Sequence, residues 1–184
     1  MKYETNVIKL RALRKEDSAV SCAWRNDPAV RDFALGYRYP VTTAMEESWY
    51  MRAMAPDNKD VYFAIEDKQS STFIGIASLV GVDLISANAC FGIIIGDKQH
   101  QGGGRGWDAV QFMLDYGFNM LRLHRIYLHV PAYNERALSL YSKAGFKIEG
   151  VMREHFFLDG RHHDVNVMAL LKPSWVAGMK DPTP

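Results

Sequence analysis

The sequence predicts an α/β fold: a mixed, mostly antiparallel sheet with one parallel strand pair, flanked by helices. Three observations carry this. Residues 91–95 form an apolar run, a glycine cluster and an amphipathic segment follow, and residues 125–130 read as another strand. A strand–helix–strand crossover of that kind makes its two strands parallel. Upstream, residues 61–66, 73–82 and 89–95 read as strands in an antiparallel meander, linked by the polar turn 67–72 and by a turn with Asp83, Ser86 and Asn88. Downstream, residues 147–157 and 161–171 alternate apolar and polar side chains and meet at Asp159-Gly160, a two-residue hairpin turn.

A chain of 184 residues, 48% of them hydrophobic, is long enough for a sizeable core. We read one domain over residues 1–175 and a C-terminal tail over 176–184. A net charge of only +1 offers no field to draw in nucleic acid or a membrane surface. Cys22 and Cys90 lie far apart with no CxxC spacing, which suits reduced thiols in a cytoplasmic protein. The opening Met1-Lys2-Tyr3-Glu4-Thr5-Asn6 lacks a signal peptide's apolar core, and no run approaches membrane-spanning length.

Taken in order, residues 7–13 alternate and make a first strand. Asp17 can cap a helix reaching about Trp24, which Asn26-Asp27-Pro28 ends. Thr42 or Thr43 can cap a second helix carrying Met45, Trp49, Tyr50 and Met54. Between them, residues 33–40 are rich in aromatics and make either a core plug or one wall of a pocket. Gly92 sits inside a strand, where glycine marks a bulge or a close backbone approach. Beyond the glycine cluster, Val110, Met113, Leu114, Gly117, Phe118 and Leu121 recur at helical spacing. Asn134 caps the next helix, Glu135 suits its first turn and Gly145 terminates it. Asn134 and Tyr141 are seven residues apart, hence on one helix face and roughly 10 Å apart along its axis.

Gly102, Gly103, Gly104 and Gly106 stand between a buried strand and a helix start. Backbone N–H groups there lack partners, no Cβ blocks a close approach, and the helix dipole favours a phosphate. A Gly-x-x-x-x-Gly-Lys-Ser/Thr loop is excluded, because Trp107 and Asp108 occupy the Lys and Ser/Thr positions. Gly-x-Gly-x-x-Gly from Gly102 fails at Trp107 too. Gln/Arg-x-x-Gly-x-Gly/Ala does match, through Gln101, Gly104 and Gly106. Ligands bind outside the carboxyl ends of parallel strands, here residues 96–106 and Pro131-Ala132-Tyr133-Asn134, so one crevice is expected.

About 30 residues after the glycine motif comes Asn134-x-x-Ala137-x-x-x-Tyr141-x-x-x-Gly145-Phe146. With both motifs in this order, the chain resembles the GNAT superfamily of N-acetyltransferases. Residues 149–161 further resemble the branch containing ribosomal-protein alanine and spermidine acetyltransferases. The resemblance is dense over residues 87–171 and thinner before them. It implies a GNAT-type sheet whose parallel pair is splayed, a bulge at Gly92, and acetyl-CoA as co-substrate. The pyrophosphate would lie on Gln101, Gly102, Gly103, Gly104, Arg105, Gly106 and Trp107, with Lys143 nearby. Backbone N–H groups of Ile93, Ile94 and Ile95 would hold the pantetheine arm and polarise the thioester carbonyl. Asn134, with Ala137 beside it, would contact the pantetheine, and Tyr141 would protonate the leaving thiolate.

The implied reaction is transfer of an acetyl group from acetyl-CoA to a primary amine by direct attack, the acceptor being a small molecule or a peptide N-terminus. A protein Nα-acetyltransferase of ribosomal-protein type and a non-catalytic acyl-CoA-binding sensor are the alternatives. A lysine-like amine has a pKa of about 10.4, so freeing it at pH 7 costs on the order of 4–5 kcal/mol. Relatives often carry Glu for this proton where the chain has Cys90. That thiol is either an acyl-accepting nucleophile or a core residue, and core packing is favoured, with a water chain moving the proton. No metal is expected: His162 and His163 point to opposite strand faces, and His100, His124, His129 and His155 lack zinc spacing. His129 falls near the crevice with a structural role.

Phe33, Tyr37, Arg38 and Cys90 are the candidate acceptor contacts. Polyamine acetyltransferases of the resembled branch place acidic residues in the loop that corresponds to residues 35–40, where this chain has Arg38 and no carboxylate. Glu46 and Glu47 read as a solvated helix face. A mono-amine or a peptide N-terminus is therefore expected over spermidine. A homodimer is compatible with the sequence.

Overall fold

The computed structural model describes residues 3–36 and 39–180. Strands β1 (Ile8–Arg11), β2 (Val61–Asp67), β3 (Phe73–Asp83), β4 (Asn88–Ile95), β5 (Arg125–Pro131), β6 (Lys147–Leu158) and β7 (Arg161–Leu171) form one sheet. Its order is β1-β2-β3-β4-β5-β7-β6, and every pairing is antiparallel except β4 with β5. The helices are α1 (Asp17–Asn26), α2 (Pro28–Arg31), α3 (Thr43–Ala53), α4 (Arg105–Asp115), α5 (Glu135–Lys143) and α6 (Lys172–Lys180). This is the mixed sheet with flanking helices that the sequence predicts.

Successive strand residues point to opposite faces, so a strand buried on both sides feeds two cores. In β2, Phe63 and Ile65 join the main cluster, to which α4 and the turn after it contribute Ala109, Val110, Phe112, Met113, Leu114 and Phe118. Ala64 between them joins Leu13, Tyr50 and Ile76 in a second cluster under α3. Helix α4 runs into a wider turn at Tyr116–Met120, closed by Leu121 N–H on the Tyr116 carbonyl at 3.0 Å. Gly117 sits at that widening because a Cβ there would come within 2.7 Å of Ile126 Cδ1 on β5. The hairpin between β6 and β7 turns through Asp159 (φ 50°) and Gly160 (φ 78°), both left-handed, as a tight Asp-Gly turn requires.

Local details differ from the expectations, although Asn26-Asp27-Pro28 does end α1. The first strand spans only Ile8–Arg11, and α1 continues to Asn26. Asp17 does not cap α1: Arg11 grips its carboxylate at 2.7 and 2.8 Å, and the Arg14 N–H donates to it at 2.8 Å. Pro28 ends α1 but opens α2, with Asp27 accepting from the Ala29 N–H at 3.0 Å. Chain drawn as tail from residue 176 continues α6 to Lys180, anchored by the buried Trp175.

Gly92 makes no bulge. The β3–β4 register is unbroken from Gly75↔Ile95 to Val80↔Cys90, with Ser78 opposite Gly92. What opens the sheet is the other edge of β4. Its parallel pairing with β5 covers only Asn88↔Arg125, Ala89↔Ile126 and Cys90↔Tyr127, although β4 runs on to Ile95 and β5 to Pro131. The two strands part beyond Cys90, and the cleft between them is where the site lies.

Candidate active site

A cavity of about 1060 Å³ occupies that cleft, lined from Cys90 through Ile95 on one strand and from His129 through Pro131 on the other. At one end stands the glycine loop. Gly102 (φ 98°), Gly103 (φ 57°) and Gly104 (φ 82°) are three consecutive left-handed residues. Any residue with a Cβ would meet a penalty of roughly 1–2 kcal/mol at each. The twist brings Gly104 to the N-cap of α4 with no side chain over the helix end. The Arg105 N–H closes on the Gly102 carbonyl at 3.3 Å and the Asp108 N–H on Gly104 at 2.9 Å. The first-turn N–H groups of Gly106 and Trp107 between them suit a diphosphate.

Gln101 fixes the loop to its surroundings. Its Nε2 donates to the Ile95 carbonyl at 3.0 Å, and its Oε1 accepts from Arg136 at 3.1 Å. Lys143 lies 4.6 Å over the Trp107 ring, a cation held at the same end of the cavity. Gly103 and Arg105 do not line the cavity. The Arg105 guanidinium turns the other way and binds Asp67 through Nε at 2.7 Å and a terminal nitrogen at 2.6 Å. It pins the loop to β2 and is not a phosphate contact in this geometry.

The Ser70 N–H and hydroxyl, with Arg105, hold the Asp67 carboxyl down to about 2. Its unfolded pKa is about 3.9. A carboxylate depressed on folding contributes stability that is present above the unfolded value and lost as pH falls through the folded one. The melting temperatures of wild type and Asp67→Asn should therefore differ above pH 4 and converge towards pH 2. A gap that stays constant across that range would contradict this.

Helix α5 supplies the middle of the cavity. The Asn134 side chain accepts from the Ala137 N–H at 3.2 Å as the cap, while its Nδ2 donates to the Phe33 carbonyl at 3.2 Å. Tyr133 donates to the Asp32 carbonyl, and its ring meets Phe33 edge-on at 6.1 Å. These contacts fasten Asp32 and Phe33 to the start of α5. Tyr141 is buried, packed edge-to-face on Phe91 at 6.1 Å and on Phe146 at 5.9 Å, and lines the cavity. Burial, with a smaller contribution from Cys90, pushes its pKa above the ordinary phenol value. The phenol is thus a proton carrier at neutral pH.

The far end is aromatic, and beside Phe33 its rings come from outside the 33–40 stretch. Arg25 lies 5.1 Å over the Trp49 ring, Trp49 meets Tyr62 edge-on at 5.3 Å, and all three line the cavity. Glu46, expected on a solvated face, is only 1% exposed. It binds Arg25 Nε at 2.7 Å and the Ser21 hydroxyl at 2.6 Å. A break in the β6–β7 register between Met152 and Phe156, with Glu154 at φ 52°, accompanies Met152 and His155 lining the same cavity. Among the described residues the lining holds Arg25, Arg136, Lys143, His129 and His155 but no Asp or Glu. Phe33 is there too, whereas Tyr37 and Arg38 lie outside the described residues.

Cys90 is not a core residue. It is half-buried, lines the cavity, and has its Sγ 3.8 Å from His129 Nδ1. Burial pushes its thiol up, so the sulfur stays protonated and is a poor nucleophile.

The family model described as an acetyltransferase (GNAT) domain matches residues 8–147. The spermidine N(1)-acetyltransferase of Vibrio cholerae is 34% identical over 169 residues, which is 92% of this chain and 95% of that protein. The crystal structure of spermidine N-acetyltransferase from Vibrio cholerae in complex with CoA and spermine superposes with a TM-score of 0.84. That comparison covers 92% of this chain and 98% of the other, at 34% identity. The [ribosomal protein uS5]-alanine N-acetyltransferase of Escherichia coli is 31% identical over 118 residues, covering 64% of this chain and 60% of that protein.

Proposed function

Because the chain belongs to the GNAT acetyltransferase family, we propose that its cavity transfers an acetyl group from acetyl-CoA to a primary amine by direct attack. One observation carries the reading: a single cleft joins a left-handed glycine cradle, the unpaired edge of β4 and a buried, protonated tyrosine. The cradle and the first-turn N–H groups of Gly106 and Trp107 fit a diphosphate. Beyond Cys90 the edge of β4 facing the cleft is not paired with β5, so its backbone can meet the amide-bearing arm and the thioester oxygen. Gln101, Arg136 and Lys143 keep the loop end positive or polar for the phosphates. Tyr141 gives its proton to the sulfur as the C–S bond breaks. A protonated phenol at this point also argues against a silent acyl-CoA sensor.

The acceptor, on this reading, is a mono-amine or a peptide N-terminus. The Vibrio cholerae relative acts on spermidine and favours a polyamine, but a polyamine carries several positive charges into a lining with no carboxylate among the described residues. Glu46, a carboxylate behind the aromatic wall, is already neutralised by Arg25. Trp49, Tyr62 and Phe33 suit an apolar or neutral body. The uS5-alanine acetyltransferase relative favours the peptide form of the acceptor.

Thiol release from acetyl-CoA, measured against spermidine, spermine, glucosamine, benzylamine and a peptide with an N-terminal alanine, tests both levels. Turnover with benzylamine or the peptide above that with the polyamines is expected. Efficient spermidine turnover with the others inert would overturn the acceptor assignment alone. No release with any amine would remove the acetyltransferase reading.

A further inference from the structure

Attack on a thioester needs an unprotonated amine, and no side chain has yet been assigned to take the proton in place of the expected water chain. Three observations converge on His129. It is exposed, lines the cavity, and lies two residues past Tyr127, the last β5 residue paired with β4. Its Nδ1 is 3.8 Å from Cys90 Sγ, and its ring stands perpendicular to Tyr127 at 5.8 Å, so it is held from two sides. Tyr141 packs on Phe91, the residue after Cys90, and lines the same cavity as the imidazole. Among the described residues no carboxylate lines the cavity to compete for the role.

The geometry points to His129 as the general base for the acceptor amine, with Cys90 as the residue that positions it. This rests on the amine-acetyltransferase reading given above. In the tautomer with the proton on Nδ1 directed at the sulfur, Nε2 keeps its lone pair for the amine. The thiol, kept neutral by burial, holds the ring as a hydrogen-bond partner. The ammonium gives its first proton to Nε2, and the nitrogen lone pair then bonds to the thioester carbon. As the adduct collapses, the C–S electron pair leaves on sulfur and Tyr141 protonates it. The second amine proton returns to Tyr141, and His129 passes the first to solvent. The balance is one amide, one CoA thiol and one proton.

The test uses the acceptor from the amine panel that wild type turns over best. His129→Gln should keep the acetyl-CoA thermal shift while kcat at pH 7 falls by about 10²–10⁴-fold. Its residual kcat should climb about tenfold per pH unit towards the amine pKa, as free amine becomes available without a base. Added imidazole should restore part of the rate to His129→Gly. The titratable groups around the ring or at this part of the cavity are Cys90, Tyr127, Tyr141 and His155, so His155→Gln runs in parallel. Wild-type kcat in His129→Gln overturns the assignment. So does an equal loss at every pH without imidazole rescue, or a loss confined to His155→Gln. If wild type acetylates none of the amines, the underlying reading fails instead.

Discussion

Gly104→Val should abolish the stabilisation that acetyl-CoA gives the folded protein. For wild type, ligand at 100 times its dissociation constant should add about 2.7 kcal/mol, visible as a rise in melting temperature. Gly104 holds φ at 82° and forms the N-cap of α4. A β-branched residue cannot take that angle cheaply, and a Cβ at this position would project into open space bordering the cavity, meeting no atom within 4 Å. Valine therefore both untwists the cradle and occupies the approach to the Gly106 and Trp107 N–H groups. The folded state should survive with a modest loss, because nothing is there for the new side chain to strike. A Gly104→Val protein that melts normally and still shifts with acetyl-CoA would show that the loop does not hold the diphosphate.

Tyr141→Phe should leave acetyl-CoA binding nearly unchanged and lower kcat by about 10²–10⁴-fold, if proton donation to the sulfur limits the rate. The substitution removes one oxygen and keeps the ring on Phe91 and Phe146. Its effect on packing is therefore small, and a fall in kcat reports on the hydroxyl. Because burial raises the pKa of this phenol, the acid remains protonated through the whole neutral range. Wild-type kcat should show no falling limb from Tyr141 below pH 10. Wild-type turnover in the Phe variant, or a falling limb near neutral pH that the variant lacks, would take Tyr141 out of the chemistry.

What the sequence disclosed was whatever depends on residues close together along the chain. The Asp-Gly turn and the Asn134 cap of α5 are local and stand as read, and of the two threonines offered as the cap of α3 it is Thr42 that takes the role. Strand β7, by contrast, is buried on both faces at Val165, Asn166, Met168, Ala169 and Leu170 and does not alternate. The glycine loop and Tyr141 were legible for the same reason: their spacing forms a short motif. Gly92 misled because a glycine in a strand signals close approach but not its form. Here the cleft comes from the divergence of β4 and β5, a property of two segments far apart in sequence.

Arg105 beside the glycines looks like a phosphate contact until Asp67, 38 residues away, takes it. Glu46 looks solvated until Arg25 and Ser21 close over it. The aromatic wall of Trp49 and Tyr62 needs α3 laid on β2, which no periodicity specifies. Cys90 and His129 meet only because β4 and β5 are neighbours, and strand assignment alone could have paired them had the parallel register been known.

The most direct measurement follows both products of one reaction: CoA thiol by colour and the amine and protein by mass. The protein is mixed with acetyl-CoA and the amine panel at pH 8. Direct transfer in the β4–β5 cleft requires one N-acetylated amine for every thiol released, with the protein mass unchanged at all times and product formation suppressed in Tyr141→Phe. Thiol released without acetylated amine, or 42 Da retained on Cys90 before product appears (on the order of one acetyl group per chain, as covalent catalysis would give), would contradict the account.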